Sequence, residues 1–387
     1  MIGGPGRVIP LSVPSVRGSE WAYVKECLDT GWVSSAGKYV DRFEAEFAAY
    51  VGARHAVACV NGTAALQVAL RVVGVREGDE VLVPTLTFIA TVNAVSYLSA
   101  KPVFLDCDEY YNLDVDKLSE FLETNTEVRE RRCYNSMTGR RLAAIVPTHI
   151  FGNAVRLNDL IAICRPRGIR IVEDAAESVG TVYHDGSHAG TLGDMGCYSF
   201  NGNKIITTGG GGMIVTGDEE LAAQARYLTT QAKDDDIRYI HNSIGYNFRL
   251  TNIQAAIGVA QLEQLPTYLD IKRRNFEQYR QAIAGIDGLR LAETPGYARN
   301  NHWMYALQID EGAYTFDREG LMAHLAANGI QTRPVWQLNH LQKPYRECQN
   351  WGITRGPRLW AITLNLPCSV SLTADDVEYV VSMLRHG

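Results

Sequence analysis

The most unusual ionisable residue in the chain is Lys204, which sits in the run GCYSFNGNKIITTGGGGMIV between two short apolar segments. Asn203, Ile205 and Ile206 flank it, and Gly209, Gly210, Gly211 and Gly212 follow, so a tight and partly desolvated turn is expected there. Desolvation lowers the pKa of an amine and leaves it nucleophilic near neutral pH. The glycines let backbone approach a bulky ligand closely. A loop lysine beside a flexible turn is the plainer alternative. Lysine is scarce in this chain (Lys25, Lys38, Lys101, Lys117, Lys204, Lys233, Lys272 and Lys343), so an amine nucleophile has few candidates.

About thirty positions earlier, IVEDAAESVG reads as a buried strand that delivers Glu173 and Asp174 at its carboxyl end. Ligand crevices of open α/β sheets lie outside the carboxyl ends of the strands. A carboxylate there could bind a metal, act as a base or pair with a cationic heterocycle; it would equally serve as a helix cap. A third motif, VNGTAALQVAL, runs from a strand through Asn61, Gly62 and Thr63 straight into a helix. Free N–H groups and the positive end of the helix dipole make such a junction an anion cradle, although the same residues are ordinary caps. The three together are the parts needed to use pyridoxal phosphate (PLP): an amine for a Schiff base, a carboxylate that keeps the pyridine nitrogen protonated, and a helix end for the phosphate.

The elements that must position these residues follow a recognisable order. GSEWAYVKECLDTG, KYVDRFEAEFAAYVG and TAALQVALRVVG read as helices closed by Gly31, Gly52 and Gly74. EVLVP, PVFLD, AAIVP and IRIVED are continuous apolar runs, as expected for strands buried on both faces of a mostly parallel α/β sheet. After IRIVED the runs shorten to GCYSF and GGMIV, which suggests an antiparallel return. The stretch from Leu250 to Gly285, punctuated by Pro266, reads as a long helical connector. Beyond it, strands in WMYALQI and ITLNLP and helices in REGLMAHLAANG and ADDVEYVVSMLR predict a smaller α+β domain. The expected division is a large cofactor-binding domain with an N-terminal arm over 1–262 and a small domain over 263–387.

Composition bounds the partners. With 387 residues, 46% hydrophobic and 21% charged, and a net charge of -6, the chain has no general basic field for nucleic acid. No signal peptide and no membrane span are expected, which points to a cytoplasmic address. Cys27, Cys59, Cys107, Cys133, Cys164, Cys197, Cys348 and Cys368 never fall as C-x-x-C, so reduced thiols and no metal site are expected.

At this point the sequence resembles the DegT/DnrJ/StrS family of sugar aminotransferases over nearly its whole length. NGTAAL, VPTLTFIATVNAV, IVEDAAESVG, GCYSFNGNK, TTGGGGMIV and GYNFRLTNIQAAIGVAQL carry the resemblance in order and spacing. It implies the type I PLP-dependent transferase fold and a homodimer with shared active sites. It also implies that Lys204 is the Schiff-base lysine and proton carrier, and that Asp174 pairs with the pyridinium. Glu177 is implied near the cofactor's 3-hydroxyl, Phe88 on the ring face, and Gly62, Thr63 and Ser199 at the phosphate, joined by Asn247 from the other subunit. Where many relatives read SFHPTK this chain has SFNGNK, which leaves Asn201 without an assigned role. Family dehydrases replace the lysine with histidine; its presence here favours transamination. Within the family the N-terminal segments look most like enzymes acting on UDP-linked 4-keto-6-deoxy sugars, with L-glutamate as donor and pyridoxamine phosphate as the intermediate form; the alternatives are a GDP- or dTDP-linked keto sugar, perosamine-like or aminated at C3, or a non-catalytic regulatory member of the fold. Trp32, Ser34, Ser35 and Gly37, with His149, Arg333, Trp336 and His340, are the candidates for the sugar-nucleotide pocket; His149 and Trp336 also suit a core or an interface.

Overall fold

The computed structural model describes residues 7–235 and 237–386; residues 1–6 and 387, the outer ends of the two expected domains, lie outside the described residues. Its centre is a ten-stranded sheet. The principal order is His55–Cys59, Gly212–Thr216, Met195–Ser199, Arg170–Asp174, Arg141–Ile145, Glu80–Pro84, Lys101–Leu105 and Asn350–Trp351. Pairing is parallel from 195–199 through to 350–351. Strand 212–216 alone in this order runs against its two neighbours, 195–199 and 55–59. The return expected after IRIVED is therefore one strand, and GCYSF still runs with the parallel set. Because 212–216 reverses, strand 55–59 points the same way as the others, and the chain leaves 55–59, 80–84, 141–145, 170–174 and 195–199 at one edge. All the candidate cofactor residues except Asn247 follow or end one of these strands.

Helices Glu20–Thr30 and Lys38–Val51 end against Gly31 and Gly52, both with positive φ (73° and 72°). Helix Gly62–Val72 packs on the sheet and is followed by Gly74 at φ 92°. A polar hairpin, Thr126–Arg129 with Arg132–Asn135, adds to the sheet through strand 141–145; it has no apolar run to announce it. Helix Asn252–Ile283 is a single unbroken element of 32 residues, opened by a capping box between Thr251 and Gln254 and containing Pro266. It packs on the two N-terminal helices at one end and on strand Leu289–Leu291 of the small domain at the other. The division expected at 262 falls inside this helix.

The small domain is an antiparallel sheet in the order Leu289–Leu291, Tyr305–Ile309, Thr363–Leu366, Arg333–Pro334, covered by helices Arg318–Ala327 and Ala374–Arg385. The N-terminal arm belongs with it: Ile9 exchanges hydrogen bonds with Gly329 and Gln331, and Leu11 accepts one from Cys368. Strand 350–351 crosses back to the large sheet. Among the described residues no helix is long and apolar enough to cross a membrane, and seven of the eight cysteines are buried, with Cys348 partly so.

Candidate active site

Lys204 follows strand 195–199 in a tight turn closed by its own N–H to Asn201 O (3.0 Å). Its side chain is only 14% exposed, and Nζ lies 4.0 Å from Glu177 Oε1 and 4.0 Å from the ring centre of Trp303. It makes no hydrogen bond to the described residues. Burial lowers its pKa, partly opposed by the carboxylates of Glu177 and Asp174. A second lysine, Lys272, is also buried, but its amine is committed: Nζ donates to Trp303 O (2.8 Å) and Cys368 O (2.6 Å). An amine with two hydrogen bonds to backbone carbonyls is a structural tie. Lys204 has no such tie among the described residues.

The carboxylates come from the end of strand 170–174 and the turn after it. Burial raises the pKa of Asp174, while hydrogen bonds from Thr91 Oγ1 (2.6 Å) and Ala176 N–H (3.1 Å) favour its ionised form. A buried, hydrogen-bonded carboxylate with no cationic side chain of the described residues in contact suits a positively charged group arriving with a ligand. Burial pushes Glu177 up to about 7, opposed by Lys204 and by the Phe151 N–H, which donates to Oε2 at 2.8 Å. Phe151 makes that bond from a left-handed backbone (φ 57°), strain of the kind concentrated at functional sites.

Glu173 does not join Asp174 in the site. Its carboxylate accepts from the N–H groups of Gly190 (2.7 Å), Leu192 (2.7 Å) and Gly193 (2.6 Å), and faces His149 Nε2 at 2.9 Å. Successive strand residues point to opposite faces, so Asp174 looks into the crevice and Glu173 into the packing beneath it. His149, expected in the sugar-nucleotide pocket, is fully buried and turned toward Glu173 instead. Its Nδ1 accepts from Val155 N–H (3.2 Å), so Nε2 carries the proton given to Glu173, and no ring nitrogen is left for a sugar.

Gly62 begins the helix after strand 55–59, where Asn61 caps Ala64 N–H through its side chain and the first N–H groups have no intrahelical acceptor. A Cβ on Gly62 would lie 3.0 Å from Ser199 Cβ and 3.4 Å from Ser199 Oγ, which places the serine hydroxyl over the helix start. Thr63 is the next residue of that turn. Gly212 is required beside it, since a Cβ there would press on the Asn61 carbonyl at 2.6 Å. Asn247 does not reach this cradle within one chain; it is exposed, although its neighbours Phe248 and Arg249 bond to Val60 and Cys59.

Phe88 is 51% exposed at the start of helix Ile89–Ser96 and forms an aromatic group with Trp336 (6.3 Å), which stacks on Phe151 (5.3 Å). His340 lies behind that loop, its Nδ1 2.6 Å from Thr85 Oγ1, while Asn339 donates to Thr87 O (2.7 Å). Arg333 is exposed, with its guanidinium on Thr332 O. Trp32 and Ser34 are held through their carbonyls by Asn252 (2.7 and 2.6 Å), with Ser35 and Gly37 in the same loop; nothing links this loop to Lys204 within the chain. Sequence reading missed Thr91, Phe151 and Trp303. Thr91 lies in the quoted TFIAT segment, one helical turn after Phe88, and spacing was its only available signal.

Comparison with known proteins gives the same picture. Residues 14–385 match the model of the DegT/DnrJ/EryC1/StrS aminotransferase family. The chain is 39% identical to a GDP-perosamine synthase of Caulobacter vibrioides over 97% of both chains. It is 31% identical to a UDP-N-acetyl-3-dehydro-alpha-D-glucosamine 3-aminotransferase of Acidithiobacillus ferrooxidans, over 89% of this chain and 88% of that one. The crystal structure of S. venezuelae DesV in complex with a ketimine intermediate superposes with a TM-score of 0.83 at 30% identity, covering 95% of this chain and 94% of that one. Such enzymes work with PLP, and the residues here fit it. The Gly62–Ser199 cradle is one that a Cβ would fill, Asp174 is a buried carboxylate suited to a cation, and Lys204 is an uncommitted amine beside Glu177. This chain is a PLP-dependent sugar aminotransferase and belongs to the DegT/DnrJ/EryC1/StrS family.

Proposed function

We propose that the protein moves an amino group from L-glutamate to the 4-keto group of a nucleotide-linked 6-deoxy sugar, and that the nucleotide is GDP. The observation that carries the reaction is the uncommitted amine of Lys204, 4.0 Å from Glu177 on the crevice edge of the sheet. When bound, PLP supplies a carbon that accepts amines and a protonated ring that draws electrons from the substrate carbon. Lys204 would hold it through its amine, and the same amine would carry a proton at the substrate carbon. Asp174, whose ionised form the Thr91 hydroxyl favours against the effect of burial, would pair with the ring nitrogen and hold a proton there. Gly62, Thr63 and Ser199 hold the phosphate through N–H and hydroxyl groups at the helix start. Glu177 lies 4.0 Å from the amine, where its carboxylate favours the ammonium form. Phe88 bounds the open face.

The sequence motifs alone favoured a UDP-linked sugar. The higher identity to a GDP-perosamine synthase, 39% against 31% for the UDP-sugar enzyme, moves the preference to GDP. The test is to supply L-glutamate with GDP-, UDP- and dTDP-linked 4-keto-6-deoxy sugars and measure 2-oxoglutarate formation and the product by NMR. We expect the highest kcat/KM with the GDP sugar and nitrogen at C4. Equal or better turnover of the UDP sugar would overturn the nucleotide assignment, and turnover of none would overturn the reaction.

A further inference from the structure

Lys204 lies on the large sheet, yet the surface its amine rests on comes from the small domain. Trp303, two residues before strand 305–309, is 4% exposed and presents its ring 4.0 Å from Nζ. Its indole Nε1 donates to Asn203 O at 2.8 Å, gripping the backbone next to the lysine. The segment leading to it is tied to the opposite wall, where Asn301 Nδ2 donates to Glu177 O (2.8 Å) and Val179 O (2.9 Å) and Asn301 Oδ1 accepts from Trp303 N–H (2.9 Å). From within the small domain, Lys272 Nζ donates to Trp303 O and to Cys368 O while lying over the Tyr305 ring at 4.9 Å. Lys272 is 2% exposed, and no carboxylate of the described residues pairs with it. A buried amine is costly unless its hydrogen bonds are met, so a lysine kept there to hold two carbonyls requires explanation.

We propose that Trp303 is a positioning residue, its indole the seat on which the amine of Lys204 rests whenever it is not bonded to the cofactor, and that Lys272 fixes that seat from the small domain. The inference rests on Lys204 being the cofactor lysine. Transamination requires this side chain to be released and to return, and a long flexible amine loses its aim unless something holds it. The ring face attracts the ammonium form and holds it on the side of Glu177. The charged groups facing Nζ are Asp174 and Glu177, both from the large sheet; the small domain contributes only the ring. A tryptophan that merely filled space would not act on the protonation of the amine.

The test uses the full-length protein freed of cofactor, with the pH dependence of Lys204 carbamylation by cyanate read by peptide mass spectrometry. Trp303→Leu keeps apolar bulk but removes the ring. Its reaction midpoint should fall by about one pH unit, the size of a desolvated cation–π contact. Trp303→Phe keeps a ring face, and its midpoint should stay close to that of the unaltered protein. Lys272→Met should move the midpoint in the direction of Trp303→Leu by letting the seat drift. A midpoint in Trp303→Leu that is unchanged or higher overturns the proposal, as does a Lys272→Met midpoint equal to that of the unaltered protein. If Lys272→Met does not fold, the two tryptophan variants still decide about the ring. Borohydride trapping of PLP on Lys204 in the loaded protein separates failure of this inference from failure of the lysine assignment.

Discussion

Lys204 and Asp174 can be picked out of the sequence because each breaks a local rule: a lysine amid isoleucines and glycines, and an aspartate closing an apolar strand. Thr91, Phe151 and Trp303 break none. Their importance comes from partners 83, 26 and 100 positions away, to which no local pattern points. Glu173 misled for the opposite reason, since it shares Asp174's strand and only the alternation of faces separates them. If Thr91 keeps Asp174 ionised, Thr91→Val should lower kcat roughly tenfold or more, the value of one hydrogen bond to a charged group. Steady-state kinetics checks this, and an unchanged kcat would remove Thr91 from the mechanism. Glu177 makes a prediction about pH. Its folded pKa of about 7 lies above its ordinary value of 4.5, so between these the folded protein holds a proton that the unfolded chain has lost. The cofactor-free protein should therefore lose stability relative to Glu177→Gln as pH rises from about 4.5 to about 7. Urea unfolding of both proteins across that window checks it; a difference that does not change with pH would contradict it.

Among elements, the buried strands and the glycine-ended helices were legible because their signals are local: continuous apolar runs, and left-handed glycines at 31 and 52. The hairpin 126–135 and the two-residue strand 350–351 were not, since one is polar on its exposed side and the other too short to carry a pattern. The junction of strand 55–59 with helix 62–72 is the element whose geometry matters most for the cofactor. Gly62→Ala should leave the fold intact, because alanine suits a first helical turn, while crowding Ser199. The dissociation constant for PLP should rise roughly 5- to 100-fold, the cost of overpacking a tight contact. Equilibrium titration measures this; unchanged affinity would place the phosphate elsewhere.

At the scale of the whole molecule, the sequence suggested two units meeting near residue 262, and the structure shows why composition gives no clean boundary. Helix 252–283 runs through that point without interruption. Residues 9–11 bond to the small domain from the far end of the chain, and strand 350–351 returns to the large sheet. Trp303 of the small domain lies against Lys204 of the large one, so the candidate site is lined by both units. Candidate substrate residues are spread accordingly: Trp32, Ser34 and Ser35 on the N-terminal loop, and Arg333, Trp336 and His340 in the small domain.

All of this depends on Lys204, and not the more deeply buried Lys272, being the amine that bonds the cofactor. The direct measurement is to load the protein with PLP, reduce it with borohydride and locate the added mass by peptide mapping. The account predicts one modified peptide, with the mass on Lys204. Modification at Lys272, or no stable attachment at all, would contradict it.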